Sequence, residues 1–168
     1  MLKKEMASAL NAQLNLEFFS ANLYLQMSAW CNEKGFEGAG QFFKTKFSEE
    51  MDHMRRLFDY FNDTGTMPIL GAIDAPPVGF SSLGELISLA YKHEQLITHK
   101  INELVHLAMT LQDYSTFHFL QWYIAEQHEE EKMFRSILEK LALVNIDANG
   151  LFFIDRELKK LNNHDGTF

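Results

Sequence analysis

The sequence predicts an all-α fold: a four-helix bundle with a long crossover between helices two and three, plus a short fifth helix. Three observations predict it. Four stretches of similar length carry apolar residues in alternating steps of three and four, the period of a helix with one buried face. No stretch shows the period-two alternation of a strand. The connection between the second and third stretches, about fifteen residues, can reach roughly 50 Å, against about 40 Å for a helix of about 27 residues. It can therefore run the length of a bundle and leave helices two and three parallel.

The first helix is expected over about Lys4 to Glu33, a stretch without Pro or Gly. Its stripe is Leu10, Leu14, Glu17, Ala21, Tyr24, Ser28 and Cys31. Lys34 to Gly38 is a short breaker, so a second helix from about Ala39 to Thr64 folds back antiparallel, with Gly65 as its C-terminal cap. Its face reads Phe43, Phe47, Glu50, Met54, Leu57 and Phe61. Thr66 to Phe80 holds Pro68, Pro76 and Pro77 and is irregular.

Ser82-Leu83-Gly84-Glu85 is a capping box that opens the third helix, which runs to about Thr110. The stripe there is Leu83, Ile87, Ala90, Glu94, Ile97, Ile101, Leu104, Ala108 and Leu111. Leu111-Gln112-Asp113 makes a tight turn with Asp113 as N-cap. The fourth helix, about Tyr114 to Leu143, has the stripe Leu120, Tyr123, Gln127, Glu130, Phe134, Ile137 and Leu141. Asn145 to Gly150 breaks it. A short amphipathic helix from about Leu151 to Leu161 follows, and a polar tail begins at about residue 162.

At 168 residues and 46% hydrophobic, the chain suits one core, hence a single domain over 1–168. A net charge of -8 argues against nucleic acid and is compatible with attraction of cations. No window is long and apolar enough for a bilayer, and the start does not read as a signal peptide, so a cytoplasmic protein is expected. Cys31 is alone. That excludes an intramolecular disulfide, a thiolate-rich zinc site and an iron–sulfur centre.

Every long stripe is apolar until its middle, where Glu17, Glu50, Glu94, and Gln127 with Glu130 interrupt it. Midpoints of bundled helices lie at one level, so these acids should converge inside the core. A single acid of this kind is as well explained by a misassigned stripe. Several at one level are not, because like charges a few ångströms apart raise one another's pKa or repel, and together they require cations. Glu50 and His53, three apart, share one helix face. Several carboxylates with one imidazole form an oxygen-rich set that suits iron or manganese better than zinc or copper. Glu50 can bridge two ions, with Glu17 and His53 completing one and Glu94 and Glu130 the other.

Specific motifs accompany this pattern: Asn15-Leu16-Glu17, Tyr24, Met27-Ser28-Ala29-Trp30-Cys31, Glu49-Glu50-Met51-Asp52-His53, Tyr91-Lys92-His93-Glu94-Gln95, and Gln121-Trp122-Tyr123 through Gln127-His128-Glu129-Glu130-Glu131. With them the chain closely resembles the bacterial non-haem ferritins, from Met1 to about Leu161. The resemblance implies a homo-oligomeric shell of 24 subunits that oxidises Fe(II) with dioxygen, or with hydrogen peroxide, and stores ferric oxide. It further implies that Glu17, Glu50 and His53 bind one iron and that Glu50, Glu94 and Glu130 bind a second, with Gln127 beside the pair. Glu49, Glu126 and Glu129 match a third iron site, and Tyr24 matches a tyrosine that takes part in electron transfer. On residue pattern alone, Glu126 and Glu129 read as a solvated acidic face and Tyr24 as a core aromatic.

His93, His99, His106, His118, His128 and His164 read as surface or structural. Bacterioferritins carry a second Glu-x-x-His in helix four, where this chain has Gln127-x-x-Glu130. Met51 stands where their haem-ligating Met stands, yet the Gln-x-x-Glu pair decides against haem. Two rivals remain at this stage. A rubrerythrin-like peroxide reductase usually needs paired Cys motifs, which are absent here. A metal-free, cytokine-like helical module leaves the buried acids unexplained.

Overall fold

The computed structural model describes residues 2–144 and 147–162. The tail beyond 162, with His164, lies outside the described residues, as do residues 145 and 146 of the break before the fifth helix. Among the described residues there are five helices and no strand: α1 (Lys4–Glu33), α2 (Glu37–Asp63), α3 (Leu83–Thr110), α4 (Tyr114–Leu143) and α5 (Ala148–Leu161). The all-helical fold is as expected. The first pair, α1 with α2, and the second, α3 with α4, pack most extensively; α3 also meets α1, and α5 lies on α2 and α4.

Three helix ends close in the same way. Phe36 N donates to Cys31 O, Thr66 N to Phe61 O and Asp113 N to Ala108 O, each at 2.8–3.0 Å. This six-to-one bond needs a left-handed residue just past the helix. Gly35 and Gly65 supply it at φ 83° and 67°; at the third end Gln112 takes φ 54°. The N-termini match the sequence in kind. Ser82 Oγ accepts from Glu85 N at 3.1 Å, while Glu85 returns to Ser81 N, one residue before the cap. Asp113 accepts from Thr116 N at 3.1 Å.

Both shifted boundaries have a carboxylate as their cause. The second helix begins at Glu37, inside the expected breaker, because the Asp155 carboxylate accepts from Gly38 N and Ala39 N at 3.1 and 2.8 Å. The cap comes from α5, far away in sequence. The fifth helix begins at Ala148 because Asp147 accepts from Gly150 N at 2.9 Å.

The crossover runs along α1. Ile69 N donates to Asn11 Oδ1 and Gly71 N to Asn15 Oδ1, at 2.8 and 2.7 Å. At the far end the Phe80 ring meets Trp30 edge-on, with centroids 5.8 Å apart. From Asn11 to Trp30 a helix rises about 28 Å, and the segment 69–80 can reach about 36 Å. The link thus returns the chain to the end of the bundle where α2 began, and α3 starts parallel to it.

Two apolar clusters hold the helices. One gathers Tyr24, Met27, Phe42, Phe43, Ile87, Ala90 and Phe134 with their neighbours. The other gathers Leu10, Leu14, Leu57, Phe61, Ile97, Ile101, Leu120 and Tyr123. On each long helix the break between the clusters falls at the polar residues: Glu17; Glu50 and His53; Glu94; Gln127 and Glu130. The α2 stripe differs from expectation. From Phe43 onward its buried positions are Phe43, Lys46, Glu50, His53, Leu57 and Phe61, while Phe47 and Met54 are only half-buried.

Gly38 is where α5 docks. A Cβ there would lie 2.1 Å from the Asp155 carbonyl oxygen, a backbone atom that can yield only if α5 moves. Gly38→Ala should cost about 1–3 kcal/mol and loosen α5. Thermal unfolding and limited proteolysis within α5 read this out. An unchanged melting point with α5 still protected would count against the packing described.

Candidate metal centre

Six polar residues occupy the layer between the apolar clusters, and all are buried: Glu17, Glu50, His53, Glu94, Gln127 and Glu130. Glu17, Glu50 and His53 come together most closely. Each offers a ligand atom within 4.8 Å of the others', the one such trio among the described residues. His53 Nδ1 lies 3.4 Å from Glu50 Oε2 and 4.0 Å from Glu17 Oε2. Two helices suffice for this corner, because α1 packs directly on α2.

Glu17 and Glu94 are held by hydrogen-bonding neighbours. Gln13 donates to Glu17 Oε1 at 2.7 Å from one turn earlier on α1. Tyr24 donates its hydroxyl proton to Glu94 Oε1, and Gln127 Nε2 donates to Glu94 Oε2 at 3.0 Å. On α2, the His53 backbone carbonyl accepts from Tyr123 OH at 2.7 Å, and the Trp122 ring stands edge-on to the imidazole at 5.3 Å. Such supporting contacts fix the orientation of ligating groups. Glu17 Oε2 and Glu130 Oε2 are buried with no hydrogen-bond partner. Buried oxygens of this kind are costly unless something satisfies them, and hard cations would. The donor set therefore fits iron.

Sequence reasoning missed Lys46 and Gln13. The Lys46 ammonium, on a residue only 3% exposed, donates to Glu130 Oε1 and to Glu49 Oε2. Its position four residues before Glu50 placed it one turn away on the same face. A lysine at that spacing among charged neighbours reads as solvated, so the signal was present but ambiguous. Gln13 was legible in principle, as the residue four before a core glutamate. The remaining acids are less enclosed. Glu49 is half-buried, Glu126 half-buried, and Glu129 exposed and paired with Lys132 at 3.2 Å. These three do not form a close ligand cluster. His93 is structural, its Nε2 2.7 Å from Ser20 Oγ; His99, His128, His106 and His118 lie outside the layer.

A family model named Ferritin, described as a ferritin-like domain, matches residues 7–144. The chain belongs to the ferritin family. It is 57% identical over 162 residues to a bacterial non-heme ferritin of Escherichia coli, covering 96% of this chain and 98% of that one. The crystal structure of an open pore ferritin from the archaeon Archaeoglobus fulgidus superposes with a TM-score of 0.92 at 38% identity, over 94% of this chain and 96% of the other. A Chlorobium tepidum ferritin follows with 0.85 and 46%, over 95% and 98%. No helix among the described residues is long and apolar enough to cross a membrane.

In this buried layer, desolvation drives the electrostatics. It pushes the Glu17 and Glu50 carboxyls well above the usual range. The charge of Glu50 adds to this at Glu17, and that of Glu94 adds at Glu50; His53 opposes the rise at Glu17 and Lys46 at Glu50. Glu130 is raised by burial against the pull of Lys46. Burial alone would lower Lys46, but the Glu130 and Glu49 charges outweigh it and hold the ammonium charged. Tyr24 is pushed up by burial and then by Glu94, so its hydroxyl keeps its proton. His93 falls to about 4 through burial and is neutral at pH 7.

A carboxyl whose folded pKa exceeds its unfolded one favours the fold fully only below the unfolded value, and loses that contribution as pH rises through the folded one. For Glu17, Glu50 and Glu130 the loss begins above the ordinary carboxylate range. The metal-free protein should therefore melt lower at about pH 8 than at about pH 5.5. Divalent metal should reverse the trend while releasing protons, since ligands bind deprotonated. Calorimetry in buffers of different ionisation enthalpy measures both effects. A metal-free midpoint that climbs with pH over this interval would contradict the assignment.

Proposed function

We propose that the chain is an iron-storage subunit with ferroxidase activity. The observation that carries this is the buried Glu17–Glu50–His53 cluster, with unsatisfied carboxylate oxygens on Glu17 and Glu130 in one layer of the bundle. Fe(II) is the substrate. Glu17, Glu50 and His53 take one ion, and Glu50, Glu94 and Glu130 take a second, with Gln127 orienting Glu94. Each Fe(II) gives up one electron. One dioxygen accepts both, with two protons, and leaves as hydrogen peroxide; one peroxide does the same and leaves as two waters. The residues hold the ions in fixed positions, neutralise their charge and exclude bulk water. Tyr24, bonded to Glu94, is the redox-capable ring nearest the centre on α1 and is proposed as the electron-transfer residue. No haem is required by this scheme, in which α4 offers Gln127-x-x-Glu130.

The oxidised product moves to a cavity enclosed by like subunits, proposed to be a 24-subunit shell in the cytoplasm, each subunit a single domain. Exposed apolar side chains support association: Phe152 and Phe153 on α5, and Ile69 and Leu70 on the crossover. The ferritin names of the relatives support storage.

Glu50 touches both proposed positions, so its loss should be the most damaging. Glu50→Ala is expected to remove the fast phase of aerobic Fe(II) oxidation in stopped-flow absorbance. Size-exclusion mass should stay that of the native shell. Fast oxidation by an assembled Glu50→Ala protein would sink the proposal, and a native mass of one or two subunits would sink the shell.

A further inference from the structure

The centre is not evenly open. The Glu17–Glu50–His53 corner is preformed, with ligand atoms already within 4.8 Å of one another. The Glu130 corner already holds a cation on one of its two oxygens. There the buried Lys46 ammonium sits on Glu130 Oε1 and reaches Glu49 Oε2 on its other side. An ammonium is a compact cation with three donors on a flexible four-carbon stem, so it can hold a carboxylate and can also leave it. A metal ion on the unpartnered Oε2 would share the Glu130 carboxylate with the ammonium on Oε1, and two cations cannot share one carboxylate at such range without repulsion.

We propose that Lys46 is a tethered internal competitor for the second metal ion, so that the two positions of the centre fill in order. The first ion enters at Glu17–Glu50–His53 and leaves the Lys46–Glu130 contact intact. The second ion takes Glu130 by displacing the ammonium, which stays on Glu49. Charge supports retention over expulsion. Glu17, Glu49, Glu50, Glu94 and Glu130 carry five negative charges when ionised, which two divalent ions and one ammonium balance. Lys46 is a positioning residue here. It sets the affinity of the Glu130 position without touching the reacting oxygen. This rests on the metal-centre reading above.

The test is calorimetric titration of the assembled, metal-free protein with Co(II) in the absence of dioxygen. The native chain should show two unequal steps. Lys46→Gln and Lys46→Met should tighten the second by about tenfold or more, the range for a lost charge-assisted contact, and leave the first nearly unchanged. Lys46→Arg should keep the steps apart. Two indistinguishable steps in the native chain, or an unaltered second step in the uncharged variants, would overturn the role of Lys46 and leave the metal centre standing. No Co(II) binding by the native chain would overturn both.

Should the variants fail to assemble, native crystals soaked in Co(II) decide. At saturation the Lys46 Nζ should contact Glu49 and no longer Glu130. Both ions bound with Lys46 still on Glu130 would refute displacement.

Discussion

Four glutamates buried at one level of a helical bundle set a constraint that the rest of the structure answers. Desolvating a carboxylate costs several kcal/mol, and acids that share a site raise one another's cost. Glu17, Glu50, Glu94 and Glu130 each come from a different helix, so no helix can slide or rotate to release its own acid without unpacking apolar residues. Those residues lie on both sides, in the Tyr24–Phe43–Phe134 cluster and the Leu10–Leu57–Ile101 cluster. Long helices follow from this. Each must reach past the polar layer in both directions, and the crossover must return the chain along the whole of α1 to keep the levels aligned.

Three of the four acids have individual hydrogen-bonding partners, while Glu50 faces His53 at 3.4 Å. Gln13 holds Glu17, Tyr24 and Gln127 hold Glu94, and Lys46 holds Glu130. The partners come from three helices, and each occupies one oxygen or one side of its acid. Glu17 and Glu130 keep a buried oxygen free of hydrogen bonds, which is where binding energy can be gained. The second and fourth helices meet through long side chains, as in Tyr123 to His53 O, Tyr60 to Thr116 and Lys46 to Glu130. A gap bridged by hydrogen bonds can admit ions in a way that a leucine-packed seam cannot.

Much of this was legible in the sequence. The stripes of α1, α3 and α4 are buried almost residue for residue, because a helix with a single apolar face has only one way to pack. The second helix was harder. Phe47 and Met54 outweighed Lys46 on any hydrophobicity reading, yet the structure turns Lys46 inward beside His53, which the spacing to Glu50 had already marked. The lysine one turn before Glu50 recovers its desolvation cost once Glu130 of α4 accepts from it, and that information lies in another helix. The start of α2 and the seat of α5 were hidden for the same reason. Asp155 caps α2 from more than a hundred residues away, and Gly38 is small because α5 passes over it.

Fold and site therefore rest on opposite uses of the same stripe positions. Replacing a buried ion group by well-packed apolar side chains is often neutral or stabilising. Leucines at 17, 50, 94 and 130 would join the two apolar clusters into one continuous core with the helical period unbroken. The acids persist at a site where stability alone gives no reason for them, and natural sequences break packing rules where function requires it. Lys46 sharpens this. A metal-free bundle that needed only to neutralise Glu130 could place the lysine anywhere within reach of that carboxylate. Here it also reaches Glu49, a second acid lying outside the layer. On the displacement proposed above, Glu49 would retain the ammonium, and the chain would keep its compensating charge with or without an ion at Glu130.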